Sequence, residues 1–375
     1  GDHRDLHSFP TRRSSDLLIC ESSKTKNNQT DNEDMYKIYW EDTKMEFSAT
    51  AGTAGGSLKA LFEVRDGDNL ENFKGKVTKA DSYSLTVENT SIDNIKSLNL
   101  PDKDGKITVN NISYSYDSWE AQVDAQGNIK SVTFNLSKDK AIADPEKTVA
   151  EGYLLNAGSA INARGIPYYM TQLNEFVRNF SEMFNQIESK GQNLNGDTPP
   201  TFFEAITSTA KVYDFSESEA YSKLPDGQTA TINSSSNTYY RMTAANFSVN
   251  KDVMNDVSLF ATATDYVKTD SCDIVDELKK LQSEKTVYRG DKAESFLKTI
   301  ISNVSVDTEK AETYNKLYSN LEQTIANQRT SVSGVDEDEE ALNLVKFQYS
   351  YNMASKIISV MNQMLDKLIN DTGVA

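Results

Sequence analysis

Four side chains of this 375-residue chain are of the types that most often carry nucleophilic or metal chemistry: His3, His7, Cys20 and Cys272. A cysteine nucleophile needs a base within reach, and a closed zinc site needs four nitrogen or sulfur ligands. Both histidines fall inside residues 1–17, GDHRDLHSFPTRRSSDL, which read letter for letter as the translation of a widely used sequencing adapter. That segment is expected to be non-native, its deletion should leave the fold unchanged, and the native start of the chain before Leu18 is expected to be missing. The rest of the chain then holds no histidine, so Cys272 has no imidazole partner. Two cysteines are also too few for a disulfide scaffold, and both are read as incidental.

The other chemistry-bearing patterns are equally thin. Asp102-Lys-Asp-Gly105 opens like a calcium loop but lacks the later ligands and the bidentate glutamate, so a turn is expected. No glycine-rich phosphate loop of the usual spacing occurs. Of the 56 acidic residues, three lie in residues 1–17; the remainder make chance carboxylate pairs so plentiful that a hydrolase pair stays open on composition alone. No catalytic, cofactor-binding or metal-binding residue is assigned, and an enzyme is not expected. The net charge of −17 argues against nucleic acid, whose affinity comes from basic side chains neutralising phosphates. No run approaches the roughly 20 apolar residues that span a bilayer.

The chain's length suits two or three domains. Tyr36–Trp40 has strand character, and Leu58, Leu61, Phe62 and Arg65 begin a helical spacing that stops at Gly67. From Phe73 to Lys140 the pattern turns to short alternating runs at 82–87, 106–109, 112–116, 121–123 and 129–136. Turn signals at Asp102–Gly105 and Asp124–Gly127 separate them, their glycines being able to take the positive φ of tight turns. A separate β lobe over about 70–148 is expected, autonomous and outward-facing. Helix returns at Ile166, with Pro167 in its first turn. Its stripe Tyr169, Leu173, Phe176, Phe180, Met183, Ile187 steps by 4, 3, 4, 3, 4, which keeps one face apolar. Residues 192–290 are mixed, with strand character at 238–242 and short helices at 257–262 and 272–281. A long helical pattern from Asp291 to Val332 then ends at Ser333-Gly334.

The final helix carries the most information. Leu344, Phe347, Tyr351, Ala354, Ile358, Met361, Leu365 and Leu368 step by 3, 4, 3, 4, 3, 4, 3, the spacing of a coiled-coil seam. A second row, Met353, Ile357, Val360 and Met364, widens the stripe beyond what one partner would cover. Asp336 and Glu339 form a capping pattern, and the acids Asp336 to Glu340 suit the positive end of the helix dipole.

These residues carry a resemblance. Ser333-Gly-Val-Asp-Glu-Asp-Glu-Glu-Ala341, then Leu344, Phe347-Gln348, Tyr351 and Ala354-Ser-Lys-Ile-Ile358, resemble the C-terminal signature of flagellar axial proteins. Phe347 stands where tyrosine is usual, and Met353-Ala354-Ser355 alters the small-residue run. Gly56-x-Leu58-x-x-Leu61 with Arg65-Asp66, and Ile166-Pro-Tyr-Tyr-Met with Leu173-Asn-x-Phe176, Phe184-Asn185 and Leu194-Asn-Gly196, are similar to the hook-associated protein 1 family. Val249 to Asp265 and Arg289-Gly-Asp291 also resemble its later segments. In that family the first two stretches usually lie close together, whereas about 100 residues separate them here, which marks the β lobe as an insertion.

The resemblance implies an α+β fold with long coiled-coil-like axial helices and inserted β-rich outer domains. It implies a partial D1/D2 segment over 18–66, an insertion over 67–150 and a D1 helix over 151–191. A D2-like segment over 192–290, a second D1 helix over 291–332 and a D0 helix over 333–375 follow. It also implies a secreted structural subunit of the flagellum, joining hook to filament by helical self-assembly. Its partners would be the hook protein, the next junction protein, further copies of itself in a ring and a secretion chaperone. The eight seam residues would form the assembly and chaperone interface. Flagellin, hook protein or a secreted adhesin are the alternatives; the Ile166–Asn185 stretch separates them, since flagellins are not expected to carry it.

Overall fold

In the computed structural model, which describes residues 20–25, 35–138, 141–142, 145, 149, 151–207, 209–267, 271–284 and 286–371, the alternating runs of the β region close on themselves. The adapter-like residues 1–17 lie outside the described residues. The strands are β3 (Lys74–Asp81), β4 (Ser84–Glu88), β5 (Gly105–Val109), β6 (Ile112–Val123), β7 (Ile129–Leu136) and β8 (Leu154–Ala157). All neighbours are antiparallel, in the order β6-β5-β8-β3-β4-β7 and back to β6, which makes a closed six-stranded barrel with no open edge within that ring. A further strand, β10 (Ala230–Asn233), pairs with the far end of β6. A hairpin of β1 (Cys20–Thr25) and β2 (Met35–Trp40) precedes the barrel.

Strand β6 joins two runs that the sequence pattern separates. Its buried residues are Tyr114 and Tyr116 before Asp117, and Trp119, Ala121 and Val123 after it. The register against β7 shifts between Tyr116 and Ser118. A bulge of one residue flips the inward phase, so both halves fill the same core with Leu85, Val87, Ile107, Val132, Phe134 and Leu155. Strands β8 and β10 lie beyond the boundary at 150 expected for the lobe, and Tyr221, Ile232 and Tyr240 complete its core. At the 102–105 turn it is Asp104 that takes positive φ, 60°. Gly105 is required for a different reason, since a Cβ there would lie 2.2 Å from the Tyr116 ring. Gly127 does adopt the expected positive φ.

Two helices frame the barrel's entry and exit: α1 (Gly56–Asp66) and α2 (Ile166–Glu188), the latter with its proline in the first turn. The deeply buried face of α2 is polar: Asn174, Glu175, Arg178, Ser181, Glu182 and Asn185 are all buried, whereas Phe176, Phe180 and Met183 of the apolar stripe are only partly so. Arg178 explains this inversion. Its Nε donates to the Met242 carbonyl at 2.9 Å, and its Nη1 donates to the carbonyls of Lys96 at 2.9 Å and Leu98 at 2.6 Å. The guanidinium lies 4.6 Å from the centre of the Tyr240 ring, whose hydroxyl donates to the Leu100 carbonyl at 2.6 Å. Lys96 pairs with Glu182 at 2.7 Å. One buried cation thus ties the 96–100 loop of the barrel to α2, the carbonyls supplying the partners that a buried charge requires. Burial lowers its pKa to about 10, which still leaves it charged at neutral pH.

The remaining elements are β9 (Phe203–Ala205), α3 (Ser216–Ser222), β11 (Phe247–Val249), α4 (Lys251–Asn255), α5 (Asp273–Ser283), and the hairpin β12 (Thr286–Tyr288) with β13 (Asp291–Lys292). The strand expected at 238–242 is instead a 3-10 turn, Tyr239–Arg241. Its backbone is satisfied locally, Arg241 N–H on the Thr238 carbonyl at 3.1 Å and Met242 N–H on the Tyr239 carbonyl at 3.0 Å. The turn sends Tyr240 into the barrel core and Tyr239 to Asn185, whose Nδ2 donates to the tyrosine oxygen at 2.9 Å. The short helix expected at 257–262 is a 3-10 turn at Val257–Leu259. Long helices α6 (Ala293–Ser333) and α7 (Glu337–Asn370) follow. The chain divides into two compact units, 1–300 and 301–375, so the first turns of α6 belong to the first, where Ala293, Phe296 and Ile300 are buried.

Replacing Arg178 by methionine keeps an unbranched apolar stem and removes the donors, leaving the Lys96, Leu98 and Met242 carbonyls without their partner. A loss of about 3–5 kcal/mol is expected, measured as a lower denaturation midpoint followed through the buried Trp119. A second test concerns pH. Glu188 is 1% exposed, and burial raises its carboxyl to about 7 from the ordinary 4.5, against one backbone N–H from Ala261. The folded state therefore holds the proton to higher pH than the unfolded chain, and the associated stability is present below about 4.5 and lost as pH rises through about 7. Thermal melts of Glu188→Gln should show a weaker decline across that window than the parent chain.

Candidate assembly surface

Three local devices set up the last helix. Ser333 ends α6, and the Gly334 N–H still bonds to the Thr330 carbonyl at 2.7 Å. A Cβ on Gly334 would stand 2.2 Å from that same carbonyl oxygen, so this joint is closed to any larger residue without movement. Asp336 then caps α7, its carboxylate accepting the N–H groups of Asp338 at 3.0 Å and Glu339 at 3.3 Å. Four acids, Glu337 to Glu340, occupy the first turn and Lys367 the last, matching the dipole at both ends. The cap is as the sequence pattern predicts, except that Asp336 itself lies outside the helix as its N-cap.

All eight predicted seam residues lie on α7, in one row, and all are exposed. The seven large ones range from 50% exposed at Leu365 to 75% at Tyr351, with Leu344, Phe347, Ile358, Met361 and Leu368 between, and Ala354 is exposed beside them. The second row, Met353, Ile357, Val360 and Met364, is exposed as well. No residue of α7 is buried. The second half of α6 has the same character, with Tyr314, Tyr318, Leu321 and Ile325 each about half-exposed or more. Soluble proteins seldom leave a contiguous apolar surface of this size uncovered, and such surfaces mark places of association. No helix of the described residues is long and apolar enough to cross a membrane.

Among the described residues, no group of three or more His, Cys, Asp or Glu side chains stands close enough to hold a metal ion. Cys272 is exposed and forms no disulfide. Arg178, whose pKa burial lowers, is spent on backbone carbonyls as described. The clamp on the polar face of α2 is the feature that sequence reasoning missed. Asn174, Glu175, Arg178, Ser181, Glu182 and Asn185 do recur at helical spacing, but a polar stripe opposite an apolar one reads by default as the solvent-facing side.

Comparison with known proteins bears on the same helix. Residues 326–371 match the family described as flagellar basal body rod FlgEFG protein C-terminal. That span covers the end of α6, the Gly334 joint and α7 with its seam. Over 340 residues the chain is 21% identical to flagellar hook-associated protein 1 of Bacillus subtilis (strain 168), covering 89% of this chain and 56% of that protein. The chain thus spans little more than half the length of the relative it matches. Both similarities are to flagellar proteins, and both include the segment that carries the seam.

The cap is open to a direct test. Asp336→Ala should cost about 0.5–2 kcal/mol of helix stability, seen as earlier loss of helical circular dichroism on heating, whereas Asp336→Asn should retain most of it.

Proposed function

We propose that this chain is part of a structural subunit of the bacterial flagellum that joins hook to filament by helical self-assembly through its terminal helices. The single observation that carries the proposal is the exposed seam of α7, located within the segment matched by the flagellar rod family. Leu344, Phe347, Tyr351, Ala354, Ile358, Met361, Leu365 and Leu368 form its assembly face. One row at heptad spacing meets one neighbouring helix, and the Met353–Met364 row meets another, so each subunit is held on two sides. Burying the larger side chains contributes roughly 1.5–3 kcal/mol each, energy that is collected only on assembly.

The partners follow from this role: further copies of the chain in a ring, the hook protein on one side and the next junction protein on the other. Before export the same stripe is covered by a secretion chaperone. The protein works outside the cell, in the flagellum, and catalyses no reaction; the relatives named above are structural parts. The β barrel, with strands Lys74–Ala157 and the added β10, is the inserted outer lobe. The similarity to a hook-associated protein over 89% of the chain favours this reading over flagellin, hook protein or adhesin.

Replacing Ile358 and Leu365 together by aspartate puts two charges in the seam at a prohibitive desolvation cost. Made in the full-length protein, the double variant should keep its barrel unit folded and lose both chaperone binding and incorporation at the hook tip. Normal filament growth in cells carrying only this variant would contradict the proposal.

A further inference from the structure

The hairpin that precedes α6 turns on two residues. Tyr288 pairs with Asp291, and the Arg289 and Gly290 between them take φ of 44° and 83°. Positive φ at both central positions defines a type I′ turn, whose preferred sequence is Asn-Gly or Asp-Gly. Gly290 suits its place, but a long side chain in the left-handed region is strained, and such strain persists only where the surroundings hold it. What holds Arg289 is a pair of acids from two other elements. Its Nη2 donates to Glu71 Oε2 at 3.2 Å, and its Nε lies 3.6 Å from Glu175 Oε2 on α2.

Glu175 is the demanding partner. It is 4% exposed, and its Oε2 has no hydrogen-bond partner, so that oxygen is compensated by charge at a distance. Burial raises its carboxyl above the ordinary 4.5, against the Arg289 charge, a hydrogen bond from Ser97 and the Arg178 charge, while Glu71 pushes the same way as burial. The other groups around it bring no further relief. Arg178 is committed to three carbonyls, Lys96 pairs with Glu182, Asp93 on the same cleft is acidic, and the Tyr288 hydroxyl is itself buried without a hydrogen-bond partner. The apolar side of the hairpin is well packed: Val287 belongs to the cluster of Ile187, Ile274, Leu281 and Ala293, and the Tyr288 ring lies 3.8 Å from that of Phe296, which stacks on Phe176. Closing the hairpin over α2 thus buries the root of α6 and, with it, a carboxylate whose ion-pair partner is Arg289.

We propose that this hairpin is a charge-dependent clasp on the root of α6, with Arg289 as its positioning residue: the guanidinium is the counter-ion that keeps the Glu175 carboxylate buried, and without it the clasp closes only over the protonated acid. By linkage, a carboxyl whose folded-state pKa is raised supports folding below about 4.5 and withdraws that support as pH rises through its folded value. Removing the Arg289 charge raises that value further, so the loss it causes is absent in acid and grows toward neutral pH. The turn backbone makes the opposite demand, since asparagine fits positive φ better than arginine at every pH. Arg289→Asn therefore sets the two against each other.

The test is hydrogen exchange of the full chain, read as protection factors of the amides of 286–300 at about pH 5 and about pH 8. The parent should be protected at both. Arg289→Asn should lose about tenfold or more of that protection at the higher pH and about threefold or less at the lower. Adding Glu175→Gln should restore protection at the higher pH, and Arg289→Lys, which keeps the charge, should lose less than Arg289→Asn. If Glu175→Gln does not fold, the pH dependence of Arg289→Asn and its comparison with Arg289→Lys decide. Unprotected amides in the parent, parental protection in Arg289→Asn at the higher pH, an equal loss at both pH values, a loss as large in Arg289→Lys, or a loss that Glu175→Gln leaves in place would each overturn the proposal.

Discussion

The 34-residue helix α7 carries more apolar side chains than its own unit covers, and most of what is distinctive in this chain follows from that surplus. A row from Leu344 to Leu368 spans about 36 Å at 1.5 Å per residue, and a parallel second row doubles its width. Propensity and capping can hold such a helix together locally, through Asp336 at one end and Lys367 at the other. They cannot bury the stripe. Burial would need a partner outside the helix, and in the role proposed above that partner is a neighbouring subunit.

The first unit obeys the opposite rule. There the apolar surface is enclosed in a barrel whose ring of strands has no free edge, and the joint between barrel and helix is made by polar groups. Arg178 on three carbonyls and Lys96 on Glu182 form a directional contact that specifies one orientation. Such a joint holds the lobe at a defined place without adding apolar surface that could compete with the seam of α7. The contrast is physical: an exposed, non-directional apolar stripe on α7, and a hydrogen-bonded, specific joint on α2.

How much of this was legible in the sequence depends on how local the determinant is. Strand β7 at 129–136, the start of α2 at Ile166 with its proline, and the end of α6 at Ser333-Gly334 are written in neighbouring residues and could be read directly. Strand β6 was split in two because Asp117-Ser118 break the alternation, and the cause, a bulge against β7, lies in another strand. Strand β3, with Val77 as its one large apolar residue in the core, and the four-residue β8 gave too little pattern to be noticed. The burial of Arg178 was hidden for a stronger reason: a charged residue in mid-helix is exposed by default, and its carbonyl partners lie about 65 to 80 residues away. The seam residues were visible because heptad spacing is local, and the family resemblance rests on those same positions.

Hydrogen exchange of α7 tests the central claim most directly, compared between the isolated chain and purified hook–filament assemblies containing the full-length protein. If the helix is the polymerisation element, amides from Glu337 to Asn370 exchange readily in the isolated chain and become strongly protected on assembly, while Trp119 and its barrel neighbours exchange alike in both. Equal exchange of α7 in the two states would mean that its apolar face stays open to water in the finished structure, and would contradict a role for this helix in polymerisation.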